Sequence, residues 1–178
     1  MKAYQKLADI TSDPEFVRDK IGIFFVRDPR DILVSSYFSF GYSHGLSPVD
    51  ELRDLQQGAR SEIQAVSLDE YVLASAKEIG RNFEILWDLK NACQRSVLLK
   101  YEEMIENFDL FLSQFTKFVS VDPSVAREIH ERSRPSQKED ASSHRRSGQV
   151  GGFRGKLKPE TLDILAKELG PILSKFNY

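Results

Sequence analysis

Cysteine is almost missing from this chain of 178 residues: Cys93 is the only one, so no internal disulfide can form and a redox role has no partner thiol. No apolar run approaches the length that spans a bilayer, and the start carries no signal-peptide core. Both absences lead to the expectation of a soluble, cytoplasmic chain without membrane association. The formal net charge of −2 lends nothing to a general nucleic-acid role, so an anion site must be a local basic cluster. Histidine is confined to His44, His130 and His144. Each is expected to be a solvated loop or helix residue, with His44 the one that could face an acceptor pocket. No glycine precedes Gly22, which excludes a glycine-rich anion loop in residues 1–20. Length and ordinary composition point to one domain over residues 1–178 with a real core.

What is present concentrates between Ile21 and Tyr37. The run Ile21-Gly22-Ile23-Phe24-Phe25-Val26 reads as a buried parallel strand. Asp28 is then a good N-cap, Pro29 suits the first helical position, and Asp31 falls three residues after the cap. This strand–turn–helix puts Arg27 at the carboxyl end of the strand, where open α/β sheets bind ligands, and Ser35 about two turns into the helix. A guanidinium fork and a short hydroxyl donor suit a phosphate. The plainer alternative is a surface turn in which Arg27 pairs with Asp28 or Asp31.

Residues 41–48 read as a loop, and Val49 to about Gly58 as a weakly helical, highly charged exposed segment or lid. Ser67 with Glu70 forms a capping box before a helix that Gly80 should break, with Phe83, Leu86 and Trp87 on a second helix. Val97–Tyr101 is the second clear strand. Phe108, Phe111, Leu112, Phe115 and Val119 mark an amphipathic helix whose aromatic stripe belongs in a core. Asp122-Pro123 opens another helix. Residues 136–156, rich in Ser, Gly, Arg and Lys, read as a mobile loop. A last helix begins near Pro159 and should stop at Gly170-Pro171.

Three segments carry a resemblance. Arg27-Asp28-Pro29-Arg30-Asp31, followed by aliphatics and Ser35-Ser36-Tyr37, resembles the 3′-phosphate-binding strand–turn–helix of sulfotransferases that use 3′-phosphoadenosine 5′-phosphosulfate (PAPS). Arg146-Ser147-Gly148 and Gly151 resemble the family's C-terminal closing loop, with Ser147, Gly152, Phe153 and Arg154 where the family has Lys, Asp, Trp and Lys. A solvated basic linker is the alternative for that stretch. Leu98–Met104 resembles the strand that ends in Tyr-Glu-Asp, and Tyr101 takes the place of the tyrosine at the adenine region. A strand-end tyrosine bonded to backbone is the alternative there.

The resemblance implies an α/β fold with a P-loop-like parallel sheet flanked by helices, here incomplete and helix-rich. It implies PAPS or adenosine 3′,5′-bisphosphate as the nucleotide, held by Arg27, Ser35, Tyr101, Arg146, Ser147 and Gly148. The activity implied is transfer of a sulfuryl group to a hydroxyl or amine of a small-molecule or glycan acceptor. The family's 5′-phosphosulfate loop, Pro-Lys/Arg-Ser-Gly-Thr, has no counterpart in residues 1–20, and no general base can be named. The chain therefore reads as the C-terminal two-thirds of the family's domain. With only two strands it is expected to capture a further strand, by homo-oligomerising or by meeting a second polypeptide, or to be marginally stable. A non-catalytic relic that binds adenosine 3′,5′-bisphosphate or a protein partner is the alternative function. A nucleoside kinase would need a phosphate loop followed by Lys and Ser/Thr, and the sequence contains none.

Overall fold

A computed structural model describes residues 14–133 and 148–178. The described chain is mostly helical, with one two-stranded parallel sheet. It divides into two compact units: residues up to Arg27 with Arg81–Arg134, and Asp28–Gly80 with Pro135–Tyr178.

The first unit opens with a short helix α1 (Pro14–Val17) and strand β1 (Ile21–Val26). Strand β2 (Arg95–Lys100) pairs with β1 in parallel, from Ile21 opposite Arg95 to Val26 opposite Lys100. Gly22 is forced by a close approach: a Cβ there would lie 2.7 Å from Cys93 Sγ and 2.4 Å from Phe24. Two helices follow β2, α5 (Tyr101–Glu106) and α6 (Phe108–Phe115), and then α7 (Pro123–Ser133). The rings of α6 pack on one another, with Phe25 edge-on to Phe111 at 5.9 Å and Phe111 beside Phe115, but Phe108, Phe111 and Phe115 stay half-buried and only Leu112 of the stripe is buried as a core residue. His130 departs from expectation. It is buried and stacks on Phe108 with ring centres 3.9 Å apart, because its place on α7 turns it inward beside the stripe.

The second unit contains α2 (Pro29–Phe38), a π-helical turn (Ser39–Ser43) and α3 (Asp50–Gln64). It also takes the first half of α4 (Leu68–Ala92), a 3-10 turn (Gly152–Gly155), α8 (Pro159–Glu168) and α9 (Gly170–Phe176). Its core joins Leu33 and Val34 of α2 to Val72 and Ala76 of α4, Phe153 and Leu157, and Leu165, Leu169 and Leu173 near the C-terminus. The Ser67–Glu70 capping box forms: Ser67 N–H and Oγ both donate to Glu70, and Glu70 N–H donates to Ser67 Oγ.

Two expected breaks behave differently. Gly80 does not end α4, since one glycine costs a helix only about 1 kcal/mol and here gives room to Leu169, 3.6 Å from where a Cβ would stand. Gly170-Pro171 does stop α8, but Pro171 then sits in the first turn of α9, where a proline loses no hydrogen bond. No helix among the described residues is long and apolar enough to cross a membrane.

Candidate functional site

Two of the residues singled out by the sequence meet in the first unit. Val26 and Lys100 are the last paired residues of the ladder, so Arg27 and Tyr101 each stand one step beyond its carboxyl end. The Arg27 guanidinium carbon lies 4.5 Å from the centre of the Tyr101 ring. Such a contact contributes about 0.5–1 kcal/mol when exposed and about 2 when desolvated, and it uses the π-face of the guanidinium. Phosphate binding uses the in-plane N–H fork, so the two roles are compatible. Tyr101 begins α5 rather than ending β2, which fixes its backbone as well as its ring.

The remaining turn residues belong to the second unit, and their carboxylates have structural roles. Asp28 caps α2 by accepting from the Arg30 N–H at 2.9 Å. The same carboxylate holds the Arg30 guanidinium at 2.9 and 2.6 Å. Asp28 thus pairs with Arg30, and Arg27 lies against Tyr101.

Asp31, only 3% exposed, accepts from the Gly151 N–H at 2.7 Å and from the Phe153 N–H at 3.0 Å. Glycine-rich turns attract anions because their N–H groups converge. At Gly151 the anion is the protein's own Asp31. Gly151 has φ +69°, a backbone conformation that side-chain-bearing residues rarely adopt, so a substitution there is strained. Phe153 is buried in the core, with Arg30 and Arg154 carbons 4.4 and 4.7 Å from its ring centre.

This clamp revises the expectation of a loop mobile throughout 136–156. Residues 148–156 are anchored by Asp31 and by burial of Phe153 and Leu157. Composition hides the anchors because they number only two apolar side chains and two N–H groups.

Ser35 is half-buried on α2, the helix whose first turn carries Asp31, and Gly148 is half-buried with φ +57°. Arg146 and Ser147 lie outside the described residues. His44 is exposed, with its ring 5.7 Å from Phe40; His144 also lies outside the described residues. Asp31 is the residue that sequence reasoning placed without seeing its task. Its position at the third residue of the helix was legible, but its acceptors' partners lie 120 and 122 residues away. No protein-family model matches the chain, and no curated protein matches its sequence.

Proposed function

We propose that this chain binds the 3′-phosphate half of PAPS or adenosine 3′,5′-bisphosphate, as the corresponding part of a sulfotransferase domain with a P-loop-like parallel sheet. The observation that carries the reading is the Arg27–Tyr101 pair beyond the carboxyl ends of two parallel strands, where α/β proteins bind ligands. In this reading Arg27 and Ser35 bind the 3′-phosphate, Tyr101 lies at the adenine region, and Arg146, Ser147 and Gly148 complete the phosphate cradle. The Asp31 clamp supports the last assignment by fixing the chain that follows Gly148.

The reaction passes a sulfuryl group from PAPS to a hydroxyl or amine of a small-molecule or glycan acceptor. The acceptor loses a proton and adenosine 3′,5′-bisphosphate is released. Catalysis of that kind rests on in-line positioning and on stabilising charge on the leaving oxygen. A second reading, binding without turnover, is favoured by one feature: no glycine precedes Gly22, so these 178 residues contain no glycine-rich cradle ahead of β1 for the 5′-phosphosulfate. We accordingly expect nucleotide binding from this chain and little or no transfer of labelled sulfate by it alone.

Calorimetric titration tests the proposal. Adenosine 3′,5′-bisphosphate should bind at least about tenfold tighter than adenosine 5′-monophosphate, since each charge-assisted contact is worth about 1.5–3 kcal/mol. Arg27→Ala should remove that preference, and Ser35→Ala should weaken it less because it deletes no charge. Equal affinity of the parent chain for the two nucleotides overturns the assignment.

A further inference from the structure

Helix α3 is the most amphipathic long helix described here, yet it contains no buried residue. Its hydrogen bonds to the rest of its unit come from one side of the helix. Gln64 donates to the Gly41 carbonyl at 2.7 Å, Gln56 accepts from the Ser47 N–H at 2.6 Å, and Arg60 donates to the carbonyls of His44 and Phe40. Ile63 adds apolar packing, 3.0 Å from where a Cβ on Gly41 would stand.

At about 100° per residue, Leu52, Leu55 and Ala59 form a separate stripe beside that packed side. Leu52 is 52% exposed and Leu55 67%. Beyond the stripe, on the side away from the unit, lie Glu51, Asp54 and Glu62, all exposed. Both arginines of the helix are engaged elsewhere: Arg53 pairs with Asp50, and Arg60 with the backbone carbonyls. Among the described residues, none of the three carboxylates forms an ion pair.

Helix stability does not explain this arrangement. Acidic residues in the first turn complement the helix dipole, but Glu62 stands in the last turn, where the dipole disfavours negative charge. Gly58 costs about 1 kcal/mol of helix propensity relative to alanine, and nothing lies within 4 Å of its missing Cβ. By the same geometry Gly58 lies among the rim carboxylates, between Glu51 and Asp54, where its missing side chain leaves that face open. The rim argues against an anionic lipid surface, which selects lysine and arginine. It also argues against a second copy meeting stripe to stripe, which would bring carboxylates together.

We propose that the Leu52–Leu55–Ala59 stripe with its Glu51–Asp54–Glu62 rim is a docking surface for a basic amphipathic helix of a protein partner, with leucine-like anchors on the stripe and lysine or arginine facing the rim. The surface is independent of the nucleotide proposal, since none of its residues is a nucleotide candidate.

The probe is a fluorescently labelled model helix of leucine and lysine, titrated with the full chain and followed by anisotropy. A leucine–glutamate helix of the same pattern and anionic vesicles serve as comparisons. The leucine–lysine helix should bind, and added salt should weaken it. Leu55→Ser should cost about tenfold, the effect of losing one partly buried leucine. Glu62→Lys should weaken the leucine–lysine helix and strengthen the leucine–glutamate one. These positions are exposed, so the melting temperature and adenosine 3′,5′-bisphosphate affinity should stay at the parent values. Equal binding of the two helices, binding indifferent to Leu55→Ser, or stronger capture by vesicles overturns the proposal. A concentration-dependent dimer that Leu55→Ser dissolves assigns the stripe to a second copy and overturns it as well.

Discussion

Phe153 and Phe25 are the same residue type in two different situations. In the second unit Phe153 is 2% exposed, inside a continuous cluster drawn from α2, α4, the 3-10 turn and the C-terminal helices. In the first unit Phe25 is 52% exposed on a strand of nearly pure apolar sequence, and Ile21 and Ile23 are exposed with it. Buried apolar side chains among the described residues of the first unit are Val26, Phe83, Leu89, Leu99 and Leu112; the remaining core of the described chain belongs to the second. The difference teaches that a hydrophobic strand does not by itself make a core. A helix can bury its stripe against two or three neighbours, whereas a two-stranded sheet has two edges and two faces to cover.

The largest expected effect is that of Phe153→Ala, about 3–5 kcal/mol by loss of a buried aromatic from a packed site. Hydrogen exchange would show how far it reaches. Lost protection confined to α2, α8 and α9 means the units open separately. Equal loss in β1 and β2 means they unfold as one, and the contrast between them is then only one of packing.

Asp31→Ala should follow, at about 2–4 kcal/mol, because it leaves the buried Phe153 N–H and the half-buried Gly151 N–H without their acceptor. The amides of Gly151 and Phe153 are the readout: their exchange should accelerate before that of the core. Unchanged protection at those two amides would show that apolar packing alone holds the turn.

Phe25→Ala is expected to cost only about 1 kcal/mol, in proportion to the half of the ring that is removed from water. This substitution can break the comparison. A loss as large as that of Phe153→Ala, growing with protein concentration, would mean that β1 is covered in solution by another chain.

Acid gives the smallest contrast. Asp69 has its carboxyl held below its ordinary value of 3.8, first by the Thr161 side chain and then by the Lys158 N–H at 3.0 Å. The folded state therefore binds this proton more weakly than the unfolded state. The stability it contributes is fully present above about pH 4 and is lost as pH falls below it, through the lowered folded value. In the first unit Asp122 is also lowered, but by Ser124 two residues away, a contact that partly unfolded α7 can keep. Asp69→Asn should flatten the acid limb of the second unit's unfolding curve, and Asp122→Asn should change the first unit's much less.

The sequence by itself determined what depends on near neighbours. Asp28 and Pro29 start α2, Ser67 and Glu70 box the start of α4, and the Phe108–Phe115 spacing makes one helix face aromatic. Such features were legible because a cap or a stripe is decided within one or two turns of chain. Arg27 and Ser35 were legible as candidates for the same reason, since a strand followed by a capped helix fixes where each falls. Tertiary structure decided everything that needs a distant partner. It assigned Asp31 to Gly151 and Phe153, let α4 run through Gly80, turned His130 inward and left Phe25 half in water. Local pattern could not reach these outcomes. A carboxylate, a glycine or an imidazole costs or contributes according to what packs against it, and that is set by chain segments tens of residues away.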